Sequence, residues 1–267
     1  MSWQTSILSI VALSAALVGC APDESPAPTS SSVPASSSTA EESAAPASER
    51  PEAITPSPRT KEYEWMTIER WNTMHREDVE IASTGNVDVL FIGDSITEGW
   101  PQNVWEEYFG DYKAVNFGIG GDKTENLLWR LNNGSVGRLD PQVVVLLIGI
   151  NNFGLSNHEP DDVAQGVTAV VRTLKGAFPN AEILLNGIFP TKQSAEDPMR
   201  DKVAQVNEQI AQLEDDRVHY LYIGDQLVEE NGDISAEIMP DYLHLSEKGY
   251  RIWAENLQPI LADWLEE

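Results

Sequence analysis

Ser95 is the residue on which chemistry could turn. It follows Gly93-Asp94 at the end of Val87 to Gly93, a run that is apolar nearly throughout and rich in Val and Ile. That pattern is the pattern of a strand buried on both faces. In open α/β sheets the carboxyl ends of the strands are where ligands bind, so a serine there is a candidate nucleophile. Gly, Asp and Ser are also ordinary turn and N-cap residues, and the motif alone does not choose between the two readings. A serine hydroxyl is a poor nucleophile at neutral pH. It needs an adjacent base, and the base needs an orienting group.

The chain holds four histidines. His75 lies in a charged helical stretch and His219 in the apolar run Val218-His219-Tyr220-Leu221-Tyr222, which suit a solvated face and a strand end. His158, in the loop Gly154-Leu155-Ser156-Asn157-His158, follows a buried strand and is a second contender for a site. His244 stands apart because Asp241 precedes it by three residues in Pro240-Asp241-Tyr242-Leu243-His244. In a turn that spacing can set a carboxylate beside one ring nitrogen and leave the other free for Ser95. Attack on an ester carbonyl also requires donors for the oxyanion. Two strand ends offer them: Gly120-Gly121-Asp122, after Ala114 to Ile119, and Gly149-Ile150-Asn151-Asn152, after Val143 to Ile148. A glycine lets a backbone N–H approach substrate closely, and an asparagine amide can donate. Neither the P-loop nor the dinucleotide glycine fingerprint is present, which argues against a nucleotide cofactor.

Four segments in fixed order, Gly93-Asp94-Ser95, Asn116 through Asp122, Gly149-Ile150-Asn151-Asn152 and Asp241 through Ser246, resemble the SGNH (GDSL) hydrolase family. Within it the likeness is greatest to platelet-activating factor acetylhydrolase IB catalytic subunits and their bacterial relatives. It is carried by Asn116 through Leu131 and Asp241 through Tyr250, and it spans residues 61–267. The resemblance implies Ser95 as nucleophile, His244 as base and Asp241 as its orienting partner. It implies the N–H groups of Ser95 and Gly121 and the side chain of Asn151 as oxyanion donors. The segment after the serine, Ile96-Thr97-Glu98-Gly99-Trp100, suits bacterial members better than animal acetylhydrolases. The resemblance therefore implies the hydrolase chemistry and does not by itself imply the phospholipid substrate.

The remaining pattern must position these residues. Strands are expected at Val87–Gly93, Ala114–Ile119, Val143–Gly149, Glu182–Ile188 and Val218–Ile223. They alternate with helices at Glu62–Ser83, Thr124–Asn133, Asp161–Phe178, Met199–Leu213 and Glu247–Trp264. Val163, Val167, Val170, Val171 and Leu174 give one helix an apolar face, and Trp253, Leu257, Ile260, Leu261 and Trp264 another, with a kink expected at Pro259. Five strand-helix alternations imply a three-layer α/β/α sandwich on a parallel sheet. The resemblance adds a flavodoxin-like strand order, 2-1-3-4-5.

Residues 1–20 carry no charged side chain and include the apolar stretch Ile7 to Val18, which suits a signal peptide and is too short to span a bilayer. Leu17-Val18-Gly19-Cys20 resembles a lipobox, and Cys20 is the only cysteine. A lipidated, exported bacterial lipoprotein is expected, with secretion or a periplasmic location as the alternative. Residues 21–60 are dominated by Ser, Ala, Pro and Glu and read as a disordered linker. A net charge of −26 makes nucleic acid and anionic headgroups poor partners. The only expected membrane contact is a lipid on Cys20.

No metal-ligand spacing is present and no cofactor is implied. The expected function is a carboxylic ester hydrolase on small-molecule acetyl to butyryl esters. O-acetylated carbohydrate or lysophospholipid substrates are alternatives, and a non-catalytic binding lipoprotein is the rival from another class. Trp100, Phe153 and Leu155, together with Trp105, are candidates for an acyl pocket, with core packing the competing role.

Overall fold

The computed structural model describes residues 51–265. Five strands, β1 (Val89–Gly93), β2 (Ala114–Gly118), β3 (Val143–Leu147), β4 (Glu182–Asn186) and β5 (Val218–Leu221), form one sheet in the order β2-β1-β3-β4-β5. Every pairing is parallel, and helices cover both faces. Burial on both sides explains why β1 and β3 are apolar without alternation: every residue of each is buried. The sheet and its order match the sequence expectation, with β1 starting two residues later and each of the other strands ending one or two residues sooner.

The register sets the position of the site. Gly93 of β1 pairs with Gly118 of β2 and with Leu147 of β3, so the three strands stop level with one another. Their following segments therefore emerge at one edge. Gly93 itself cannot carry a side chain, since a Cβ there would sit 2.2 Å from Leu147 O.

Eight α-helices complete the described domain: α1 (Ile68–Ala82), α2 (Ser95–Glu98), α3 (Gln102–Phe109), α4 (Thr124–Arg130), α5 (Ile150–Ser156), α6 (Pro160–Ala177), α7 (Pro198–Ile210) and α8 (Glu247–Leu265). The expected apolar face of α6 is buried, and Pro160 with Asp161 and Asp162 opens that helix in the order that suits its dipole. In α8, Trp253, Leu257 and Leu261 are buried, and Pro259 lies inside a helix assigned without interruption. Helix α3 and the short α2 and α5 stand where no helix was expected. Among the described residues no helix is long and apolar enough to cross a membrane.

One boundary is corrected. The linker expected through residue 60 gives way to folded chain at residue 51: Ala53 is fully buried and Arg59 nearly so. The segment is tied down by polar bonds and not by a large apolar face, which is why its composition resembles a linker. Thr124 Oγ1 donates to Ala53 O (2.8 Å), Ser57 N to Glu125 O (3.0 Å) and Asn126 Nδ2 to Ser57 O (3.0 Å). The leader, Cys20 and linker residues 21–50 lie outside the described residues.

Candidate active site

Asp94 caps α2, its Oδ1 accepting from Ile96 N at 3.0 Å, and places Ser95 at the first position of that helix. The Ser95 N–H belongs to a helix start, where N–H groups lack intrahelical acceptors. The short helix is held from two sides. Tyr250 of α8 donates to Ile96 O (2.7 Å), and Asn116 donates to Thr97 O (2.7 Å) while accepting from Gly118 N (2.8 Å).

Across the edge, the Asp241 to His244 turn is built on its own first residue. Asp241 Oδ1 accepts from Leu243 N (3.1 Å) and His244 N (2.7 Å), and Asp241 Oδ2 meets His244 Nδ1 at 2.7 Å. Tyr242 takes a positive φ of 59° to close the turn. The other ring nitrogen, Nε2, lies 2.8 Å from Ser95 Oγ. Burial acts to raise the Asp241 carboxyl, but the hydrogen bonds from the His244 ring and backbone outweigh it and hold the group below its ordinary value. Asp241 is thus a carboxylate beside the ring at neutral pH.

Gly121 sits at φ +72°, a conformation L side chains rarely adopt. Its position depends on Asp122, fully buried, which accepts from Trp71 Nε1 (2.6 Å) and Arg130 Nε (2.7 Å) and lies 3.6 Å from Arg59 Nη2. Arg130, also fully buried, donates to Asp78 Oδ2 (3.0 Å), Phe117 O (3.0 Å) and Gly93 O (3.2 Å). One guanidinium therefore joins the ends of β1 and β2, the glycine loop and α1. Asn151 Nδ2 donates to Asp122 O at 3.1 Å, which leaves one amide hydrogen of Asn151 unassigned. Ser95, Gly121, Asn151, Asp241 and His244 thus all stand at the strand ends.

The other sequence candidates are distributed differently. His158 is bound up elsewhere, with Nδ1 at 3.1 Å from Asn152 Nδ2 and Nε2 at 3.3 Å from Glu52 Oε2, and it is not the partner of Ser95. Trp100 is a core residue: it stacks on Trp253 (4.8 Å, 25°) and meets Phe109 edge-on (5.1 Å). With Trp105 it also lines a surface cavity of about 370 Å³ beside Glu98, Gln102 and Asn116, a different cavity from the ones that Phe153 and Leu155 line. Phe153 lines a cavity of about 90 Å³ with Ile150, Asn151, Met199 and Leu243. Leu155 lines a different one, of about 220 Å³, with Gly121, Lys123 and residues of the 51–63 segment.

Glu52, Glu125 and His158 bring donor atoms within 4.8 Å of one another. Lys123 Nζ lies 2.5 Å from Glu125 Oε1 and 3.6 Å from Glu52 Oε1, so an ammonium already supplies the positive charge among these carboxylates. The sequence reading missed Arg130 and Arg59 as anchors. A basic residue in otherwise apolar Leu127-Leu128-Trp129-Arg130-Leu131 was the available signal for the first.

The chain matches the GDSL-like lipase/acylhydrolase family over residues 91–252. Platelet-activating factor acetylhydrolase IB subunit alpha1 of Homo sapiens is 38% identical over 201 residues, covering 74% of this chain and 85% of the relative. Subunit alpha2 of Rattus norvegicus is 35% identical over 202 residues, covering 74% and 86%. Among solved structures, a GDSL-like lipase from Bacteroides thetaiotaomicron superposes with a TM-score of 0.58 at 21% identity, covering 73% of this chain and 97% of that one, a likeness of fold.

Proposed function

The chain belongs to the GDSL-like lipase/acylhydrolase family and is a hydrolytic esterase, and from that premise we propose that Ser95, His244 and Asp241 are its catalytic triad. The observation that carries the reading is the continuous chain of hydrogen-bond distances, 2.8 Å from Ser95 Oγ to His244 Nε2 and 2.7 Å from His244 Nδ1 to Asp241 Oδ2.

In the first half-reaction Ser95 Oγ attacks the ester carbonyl carbon and passes its proton to His244 Nε2. The carbonyl oxygen becomes an oxyanion that the N–H groups of Ser95 and Gly121 and the free amide hydrogen of Asn151 receive. Collapse of this intermediate breaks the bond to the alcohol, which takes the proton from His244. Water then repeats the sequence on the acyl-Ser95 ester, with His244 again taking and returning the proton. Asp241 holds the ring in one tautomer and balances the charge of the imidazolium.

The acyl group is a short one in this proposal, acetyl to butyryl. The 90 Å³ cavity beside Asn151 is the candidate acyl pocket, and it is far below the roughly 300–1,000 Å³ of a site for a drug-sized ligand. Each methylene left outside it loses about 0.8 kcal/mol of burial. A series of p-nitrophenyl esters tests this: kcat/KM should peak between acetyl and butyryl, and an optimum at decanoyl would sink the short-acyl assignment. A fluorophosphonate probe should label Ser95 and leave the Ser95→Ala protein unlabelled. We also propose export and lipidation at Cys20 on the strength of the leader sequence. Incorporation of a fatty-acid analogue that persists in Cys20→Ser would refute that site.

A further inference from the structure

The two cavities by the strand ends differ in kind. The small one, between Asn151 and Leu243, is largely apolar. The larger, about 220 Å³, opens between Gly121 and the segment 52–63, with Arg59, Lys61, Tyr63 and Lys123 among its walls. Asn151 lines the first and Gly121 the second, so the two cavities lie one beside each of these proposed oxyanion donors.

The surface at that point is an aromatic plate. Trp65 is half exposed, at 51%, and stacks on Tyr63 with ring centres 4.8 Å apart and planes 19° from parallel. The Arg59 guanidinium lies 5.6 Å from the Tyr63 ring and 5.9 Å from the Trp65 ring. Arg59 is in turn fixed by donating to Gly120 O at 2.8 Å, while its Nε and Nη1 have no hydrogen-bond partner. A cation fixed beside the rings stiffens the pair. The plate also touches the machinery. A methyl group on Gly121 would fall 2.4 Å from Trp65 Cη2, and one on Gly120 would fall 3.1 Å from Met66 Cε and 3.8 Å from Ser95 Cβ.

We propose that Trp65, backed by Tyr63 and Arg59, is the leaving-group platform of the enzyme and receives the sugar ring of an O-acetylated carbohydrate. The assignment rests on the triad reading given above. A pyranose offers an apolar C–H face to stack on a tryptophan and hydroxyls for the Lys61 and Lys123 ammonium groups, and the cavity suits a compact polyol. A long acyl or alkyl chain would find cations and carboxylates there. The reaction joins acetyl ester and water to give acetate and the free sugar hydroxyl, with no further reactant.

Kinetics of Trp65→Ala and Trp65→Phe on mono-acetylated methyl xyloside and on ethyl acetate test the proposal. Ethyl acetate has no ring to stack. In Trp65→Ala the ratio of kcat/KM for the sugar ester over ethyl acetate should fall about 10-fold, chiefly through KM, as expected for one lost stacking contact. Trp65→Phe should restore part of it. In the Ser95→Ala background, calorimetry should show weaker binding of the acetylated xyloside when Trp65 is also replaced by Ala. An unchanged ratio, equal losses on both esters, or a wild type that prefers an acetylated glycerophospholipid would overturn the platform while leaving the triad standing. A wild type without turnover of ethyl acetate or p-nitrophenyl acetate would instead overturn the triad reading.

Discussion

The two sides of Ser95 are built in opposite ways. On the oxyanion side, Gly121 is set by a buried network in which Asp122, Arg130 and Asp78 come from three separate segments. On the side proposed for the base, His244 and Asp241 are roughly half exposed, with side chains 43% and 56% accessible; the bonds that pair them are local, and Tyr242 O ties the turn to a distant segment by accepting from Lys192 N (2.8 Å) and Thr191 Oγ1 (2.9 Å). The contrast separates two demands. Donors that meet a developing charge must be fixed before it appears, which calls for rigid, desolvated support. A base that shuttles protons to substrate and water needs orientation and access, which a short turn supplies. Damage on one side should therefore appear as instability, and damage on the other as lost turnover in an intact fold.

The largest expected effect is on the exposed side. His244→Ala should cut kcat by roughly 10⁴- to 10⁶-fold, as for a base that acts as a unit with its nucleophile. Its denaturation midpoint should move by no more than about 0.5 kcal/mol in stability. A large loss of stability would erase the contrast.

Arg130→Met inverts the pattern. It strands Asp78 without a counter-charge and leaves Asp122 only the more distant Arg59, and should cost about 3–5 kcal/mol, read from guanidinium unfolding. Asn151→Ala should lower kcat by about 10²- to 10³-fold with little change in KM. A pure rise in KM would make Asn151 a substrate-binding residue.

The smallest effect concerns pH. Burial raises the Asp94 carboxyl from 3.8 to about 7, against the Ile96 N–H that favours the charged form. The fold then retains a proton that the unfolded chain releases. This group's contribution to stability is full below about pH 4, declines as pH rises toward about 7, and is flat above that. Asp94→Asn keeps the cap and removes the titration, so its stability should fall less across that window than the wild type's. Identical pH slopes would assign the titration to Asp78, whose carboxyl burial also raises to about 7.

What the sequence disclosed follows the same division. The pairing of Asp241 with His244 was legible because it is local, made across three positions of one turn. Strands β1 and β3 were legible because a doubly covered strand must be apolar throughout. The support of the oxyanion side was not, because Arg130 reaches Asp78 across 52 positions and no local pattern records such a pairing. The segment 51–60 failed for a related reason: polar residues held by long-range hydrogen bonds have the composition of unfolded chain. Trp100 was ambiguous because a bulky residue on the short loop after β1 can face a pocket or the core, and its packing on Trp253 and Phe109 depends on partners far along the chain. Helix α3 had a signal in Val104, Trp105, Tyr108 and Phe109 at helical spacing, but the run is only eight residues long.

The hydrogen bond between Ser95 and His244 joins residues 149 positions apart. Every strand pairing in the sheet is parallel, so each waits for a crossover before it can form. Contacts of this range are slow to form, because chain closure must precede the interaction that rewards it. Ser95 follows the first strand and His244 comes after all five. An amino-terminal fragment that stops short of residue 244 cannot carry both. With the proposed triad, ester turnover during refolding would report the docking of the Asp241 to His244 turn against Ser95.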